Sequence, residues 1–118
     1  MSDTRKARLD VIDHILGSDE TVMVEVLALL FDPGGGLKKR EAEGWLVLTN
    51  RRVVFGTATH GILIDVRMNE IKVPATITYK FMMARLLVNV DNGAEHTFVV
   101  NRSAAQEIAH AVNEVAAK

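Results

Sequence analysis

Near the start of the chain, apolar residues return at spacings of three and four. Leu9, Ile12, Ile15 and Leu16, with Val11 beside them, share one face of a helix, while Arg5, Lys6, Arg8, Asp10 and Asp13 take the other. Gly17 is a natural stop. Residues 1–18 are therefore expected to form an amphipathic helix with one buried stripe. At Thr21 the period drops to two: Val22, Val24 and Val26 alternate with Thr21, Met23 and Glu25, which predicts a strand running on through Leu27 to Phe31. Asp32-Pro33-Gly34-Gly35-Gly36 ends it, because proline removes a ladder donor and the glycines loosen the backbone. Further strands are predicted over Lys38–Leu48, Arg52–Thr57, Ile62–Val66, Ala75–Phe81, Arg85–Val90 and Glu95–Val100. Asp91-Asn92-Gly93 is the strongest turn signal in the chain. Asn101 and Ser103 can both cap a closing helix, and Ser103 with Gln106 has capping-box spacing. Its apolar stripe is Ala104, Ala105, Ile108, Ala111, Val112 and Val115, with Gln106, Glu107, His110, Asn113 and Glu114 outside it.

Tight turns between seven short strands exclude parallel pairing, where each crossover takes a dozen or more residues. The expected fold is mainly β with terminal helices: a seven-stranded antiparallel barrel or sandwich at residues 19–118, capped by the C-terminal helix. The 118 residues predict one domain, and 48% apolar content with a net charge of -1 excludes a disordered chain. The longest apolar run, Val26 to Phe31, is far short of the roughly 20 residues of a membrane-spanning helix. Asp3, Asp10 and Asp13 interrupt the place of a signal peptide's apolar region, so the expected location is cytoplasmic, with the inner membrane face as a peripheral option. The chain has no cysteine, hence no disulfide, thiolate metal site or thiol nucleophile.

The block Gly44-Trp45-Leu46-Val47-Leu48-Thr49-Asn50-Arg51-Arg52-Val53-Val54-Phe55 resembles the G-x-L-x-L-T-N-x-R hairpin of bacterial pleckstrin-homology-like (PH-like) and GRAM-like domains. The Asp19-Glu20-x-Val22 lead-in, the Asp91-Asn92-Gly93 closure and the alanine-rich last helix agree with that likeness, which covers Asp19 to Ala117. It implies two nearly orthogonal antiparallel sheets, seven strands in all, with the last helix closing one end. Taken alone, Thr49 and Asn50 are turn chemistry, since their side chains bond neighbouring backbone amides.

Eukaryotic pleckstrin-homology domains carry an inositol-phosphate grip after the first strand, and Lys38-Lys39-Arg40 resembles its second half. The first half is absent, because Phe31 and Asp32 stand where a basic residue is expected. Strand alternation also sends Lys38 and Lys39 to opposite faces. The bland reading is a solvated edge strand whose lysines discourage aggregation. No Gly-Lys-Ser or Gly-Lys-Thr follows the glycine loop, so it is no phosphate cradle. His14, His60, His96 and His110 lack metal-ligand spacing, no nucleophile and base stand out, and no metal, cofactor or enzymatic activity is expected.

The expected function is that of a non-catalytic interaction module working through protein contacts, including assembly with copies of itself. Its candidate contact residues are Leu9, Ile12 and Leu16 on the first helix, and Phe81, Met82 and Met83 at a hairpin end. An unpaired sheet edge is a further contact surface. One alternative is an anionic headgroup or membrane surface held by Lys38, Lys39, Arg40, Arg51 and Arg52. Another is single-stranded nucleic acid, disfavoured by the charge balance and by only six aromatic residues. No small-molecule substrate is predicted.

Overall fold

A computed structural model describes Ile12 and residues 14–32, 40–58 and 61–116, with the backbone alone at 32 and 40–42. Among them are strands β1 (Val22–Asp32), β2 (Arg40–Thr49), β3 (Arg52–Thr57), β4 (Gly61–Arg67), β5 (Ile71–Lys80), β6 (Met83–Val90) and β7 (Glu95–Asn101). Helix α1 (Arg102–Ala116) follows, and a 3-10 turn at Met68–Glu70 joins β4 to β5. The strands form one antiparallel sheet in the order β4-β3-β2-β1-β7-β6-β5, curled into a half-barrel around α1. Two separate sheets are not seen because β1 bridges them: it pairs with β2 from Val22 to Asp32 and with β7 at Leu29–Phe31.

The concave face holds the core. Leu46, Leu48, Val53 and Phe55 from one half meet Leu86, Val88, Phe98 and Val100 from the other, and the Phe55 and Phe98 rings are 5.7 Å apart. Ala104, Ala105, Ile108, Ala109 and Val112 of α1 close it. Of the predicted stripe, Ala111 and Val115 are only half-buried, and Ala109 takes a core place instead. Gly44 permits the close approach of β2 and β3, since a Cβ there would lie 2.4 Å from the Gly56 carbonyl oxygen.

Three local expectations are corrected. Strand β5 begins at Ile71 rather than after Pro74, because it is an edge strand, where a missing N–H costs no ladder bond; its pairing with β6 shifts between Lys72 and Thr76. Asn101 alone caps α1, its Oδ1 accepting from Ala104 N–H at 2.8 Å. The Ser103–Gln106 box does not form: Ser103 donates to Asn101 and Gln106 to the Tyr79 hydroxyl. Trp45 is half-buried on the convex face, since its neighbour Leu46 points inward.

The convex face is not all exposed. Val47 and Val54, opposite each other on β2 and β3, alternate with core residues and so face outward, yet they are 1% and 0% exposed. Ile12 is likewise 2% exposed without joining the main core. This single chain therefore buries Ile12 itself, while Leu16 is half-buried. The rest of the predicted helix at residues 1–18, Leu9 included, lies outside the described residues apart from His14, Ile15, Gly17 and Ser18, and residues 14–18 form turns and irregular chain rather than helix.

Candidate functional site

Two places concentrate the candidate residues: the β2–β3 turn and the β5–β6 hairpin tip. At the turn, Thr49 accepts backbone N–H bonds from Arg51 and Arg52, both at 3.0 Å, and so closes the hairpin locally. Its hydroxyl donates to Glu20 Oε2 at 2.6 Å. Arg52 meets the same carboxylate with two donors, Nε to Oε2 at 2.8 Å and Nη2 to Oε1 at 2.9 Å. Gly17 N–H donates to Oε1 at 2.9 Å, and Arg52 also reaches Asp65 at 3.1 Å and the Ile15 carbonyl. Asn50 pairs with the backbone of Thr21 in both directions, and Arg51 pairs with Asp19. The two motifs, Asp19-Glu20 and Thr49-Asn50-Arg51-Arg52, are thus one latch that fastens the start of β1 to the turn.

Its electrostatics follow from that geometry. The Glu20 side chain is 2% exposed, and Arg52 holds its carboxyl at about 2 against an ordinary 4.5, with Thr49 and Gly17 assisting while burial opposes. Glu20 in turn raises Arg52 above its ordinary value, so the guanidinium stays charged. Both of its faces of donors are occupied inside the fold.

A cleft of about 520 Å³ lies beside the latch, lined by Gly17, Asn50, Arg51, Arg67, Asn69 and Val115 among others. A smaller one, about 350 Å³, has Asp65, Glu70, Asp91 and His96 in its wall. Among the described residues no three His, Asp or Glu side chains gather as a metal set. Lys38 and Lys39 lie outside the described residues, as does the side chain of Arg40, so only Arg51 and Arg52 of the five candidate cations can be located. They stand together at the latch.

At the second place, the two residues Phe81 and Met82 turn the chain from β5 to β6. Phe81 has φ +56°, a left-handed conformation that L-residues with bulky side chains rarely take. Its side chain is 96% exposed, Met82 is 82% exposed and Met83 is 42% exposed. Arg102, at the start of α1, donates to the Phe81 carbonyl at 2.9 Å and stacks over the Tyr79 ring at 4.5 Å. Lys80 is opposite Met83, and Arg85 lies two residues further, over the Phe31 ring at 5.0 Å. The sequence signalled the apolar triplet but not the backbone angle or the Arg102 brace, which joins residues 21 positions apart.

No family model matches this chain, and no curated protein matches it in sequence. Solved structures match its fold. The C-terminal domain of an unknown protein from Leishmania infantum is similar with a TM-score of 0.60 at 16% identity, over 99% of this chain and 97% of that one. The human PH domain of pleckstrin homology domain-containing protein family A member 5 gives 0.61 at 13% identity, over 86% and 82%. The PH domain of USP37 gives 0.58 at 12% identity, over 80% and 98%. Vav1 gives 0.66 at 8% identity over 98% of this chain, which spans only 33% of the Vav1 chain.

Proposed function

The fold of this chain is PH-like, and we infer that it serves as a non-catalytic docking module whose contact region is the β5–β6 tip. PH domains commonly act as interaction modules for proteins or lipids. The observation that carries the reading is the near-complete exposure of Phe81 and Met82 on a turn whose carbonyl is braced by Arg102. Adjacent exposed apolar side chains on a braced turn mark a contact surface rather than a part of the core.

Self-assembly has narrower support. Ile12 is covered by its own chain, and the β5 edge carries Pro74 and gives the Ala75 N–H to Asn113 at 2.8 Å, which blunts it against a second strand. Headgroup binding at the latch would have to compete with Glu20 for Arg52. Base stacking has few partners, because Phe55 and Phe98 are fully buried.

A photoreactive phenylalanine analogue in place of Met82, and separately in place of the exposed Asn69, tests the reading in cells that express the chain. Adducts of any class at the Met82 site with none at Asn69 support it. Adducts confined to Asn69, or none at either, contradict it.

A further inference from the structure

Charge around the tip narrows what it meets. The segment from Ile71 to Val90 contains Lys72, Lys80 and Arg85 and no acidic residue, although the whole chain carries a net charge of -1. Arg102 adds a fourth cation beside the turn, and the first acid of α1 is Glu107. Among the described residues, Lys80, Arg85 and Arg102 form no ion pair with a carboxylate, in contrast to Arg51 and Arg52. The amino-terminal end of a helix contributes positive potential of the same sign.

Placement matters as much as sign. Ala84 and Leu86 point into the core, so Met83 and Arg85 face outward, and Lys80 is paired with Met83. Arg102 approaches from the other side, where Tyr79 and the start of α1 meet. Cations thus flank the hairpin on both faces just below Phe81 and Met82. An apolar point with a cationic collar matches a surface that is negative outside and apolar beneath.

Resting on the docking assignment above, we propose that the tip inserts Phe81 and Met82 into an anionic lipid bilayer while Lys80, Arg85 and Arg102 contact lipid phosphates. Hydrophobic insertion and charge attraction act together in this mode, and each alone is weak. The chain is a peripheral binder in this reading: no helix among the described residues is long and apolar enough to cross a membrane.

Co-sedimentation with phosphatidylserine/phosphatidylcholine vesicles and with pure phosphatidylcholine vesicles tests it. The wild-type chain should pellet with the first and not the second. Phe81→Gly combined with Met82→Ser should weaken binding at least about tenfold, from the apolar area lost. Lys80→Gln should weaken it about fivefold, the worth of one cation near such a surface. Glycine suits the left-handed angle at Phe81, so the double variant keeps its fold, which its thermal midpoint verifies. Failure of the wild type to pellet overturns the lipid proposal and leaves docking to the photocrosslinking result, where protein adducts at Met82 would name another class of partner. Equal pelleting of wild type and double variant overturns both the lipid proposal and the assignment of the tip.

Discussion

At the β2–β3 turn, polar side chains reach partners about 30 positions away: Arg52 to Glu20, Asn50 to Thr21, Arg51 to Asp19. At the β5–β6 tip, an equally short connection, the side chains of Phe81 and Met82 reach solvent. The difference is physical. A guanidinium held by two bonds to a carboxylate that is 2% exposed cannot leave without stranding a buried charge. An apolar side chain on an exposed turn contributes nothing to the fold by staying where it is. Arginine count alone would rank the first turn as the binding site, and geometry reverses that order.

The comparison can be broken first by stability. Glu20→Ala leaves Arg52 partly buried without its carboxylate and should cost about 3 kcal/mol in urea unfolding. Phe81→Gly should change stability by no more than about 1 kcal/mol, and toward gain, because glycine relieves the left-handed angle. A large loss at Phe81 with a small one at Glu20 would invert the two roles.

Acid sharpens the same contrast. Glu20 is held at about 2 in the folded chain against an ordinary 4.5, so its contribution is fully present above about pH 4.5 and is lost as pH falls toward about 2. The shift corresponds to about 3 kcal/mol. Glu20→Gln should flatten this part of the stability profile, measured by urea midpoints across that range. An unchanged slope would mean that the latch does not hold the carboxylate charged.

The smallest effect separates two arginines. Arg102→Ala removes one bond to the Phe81 carbonyl and one exposed ring contact, and should cost about 1 kcal/mol. Arg52→Ala should cost about 3 kcal/mol, since it strands Glu20. Equal losses in thermal or urea unfolding would remove the distinction between brace and latch.

Much of the architecture was legible because period-two patterning and turn chemistry are local. Arg52–Thr57 occupies its predicted strand bounds, and Asn92 and Gly93 turn the chain between β6 and β7. The start of β5 was not legible, because a proline's meaning depends on whether its strand lies at a sheet edge, which only the assembled order reveals. The latch was half legible: each motif was visible, but the pairing of Glu20 with Arg52 is a long-range fact. Trp45 and Val47 show the same limit, since period two assigns faces without saying which stretches of a convex face are covered. Phe81 was noticed as an apolar residue at a hairpin end, while its backbone angle and the Arg102 brace required coordinates.

The absence of cysteine permits a direct comparison of the two regions within one fold. An environment-sensitive dye is attached to Met82→Cys and, in a second sample, to Asn69→Cys beside the latch, and lipid-borne quenchers are placed in anionic vesicles. Insertion of the tip predicts strong quenching at Met82→Cys and none at Asn69→Cys. Quenching at Asn69→Cys with none at Met82→Cys would contradict the account.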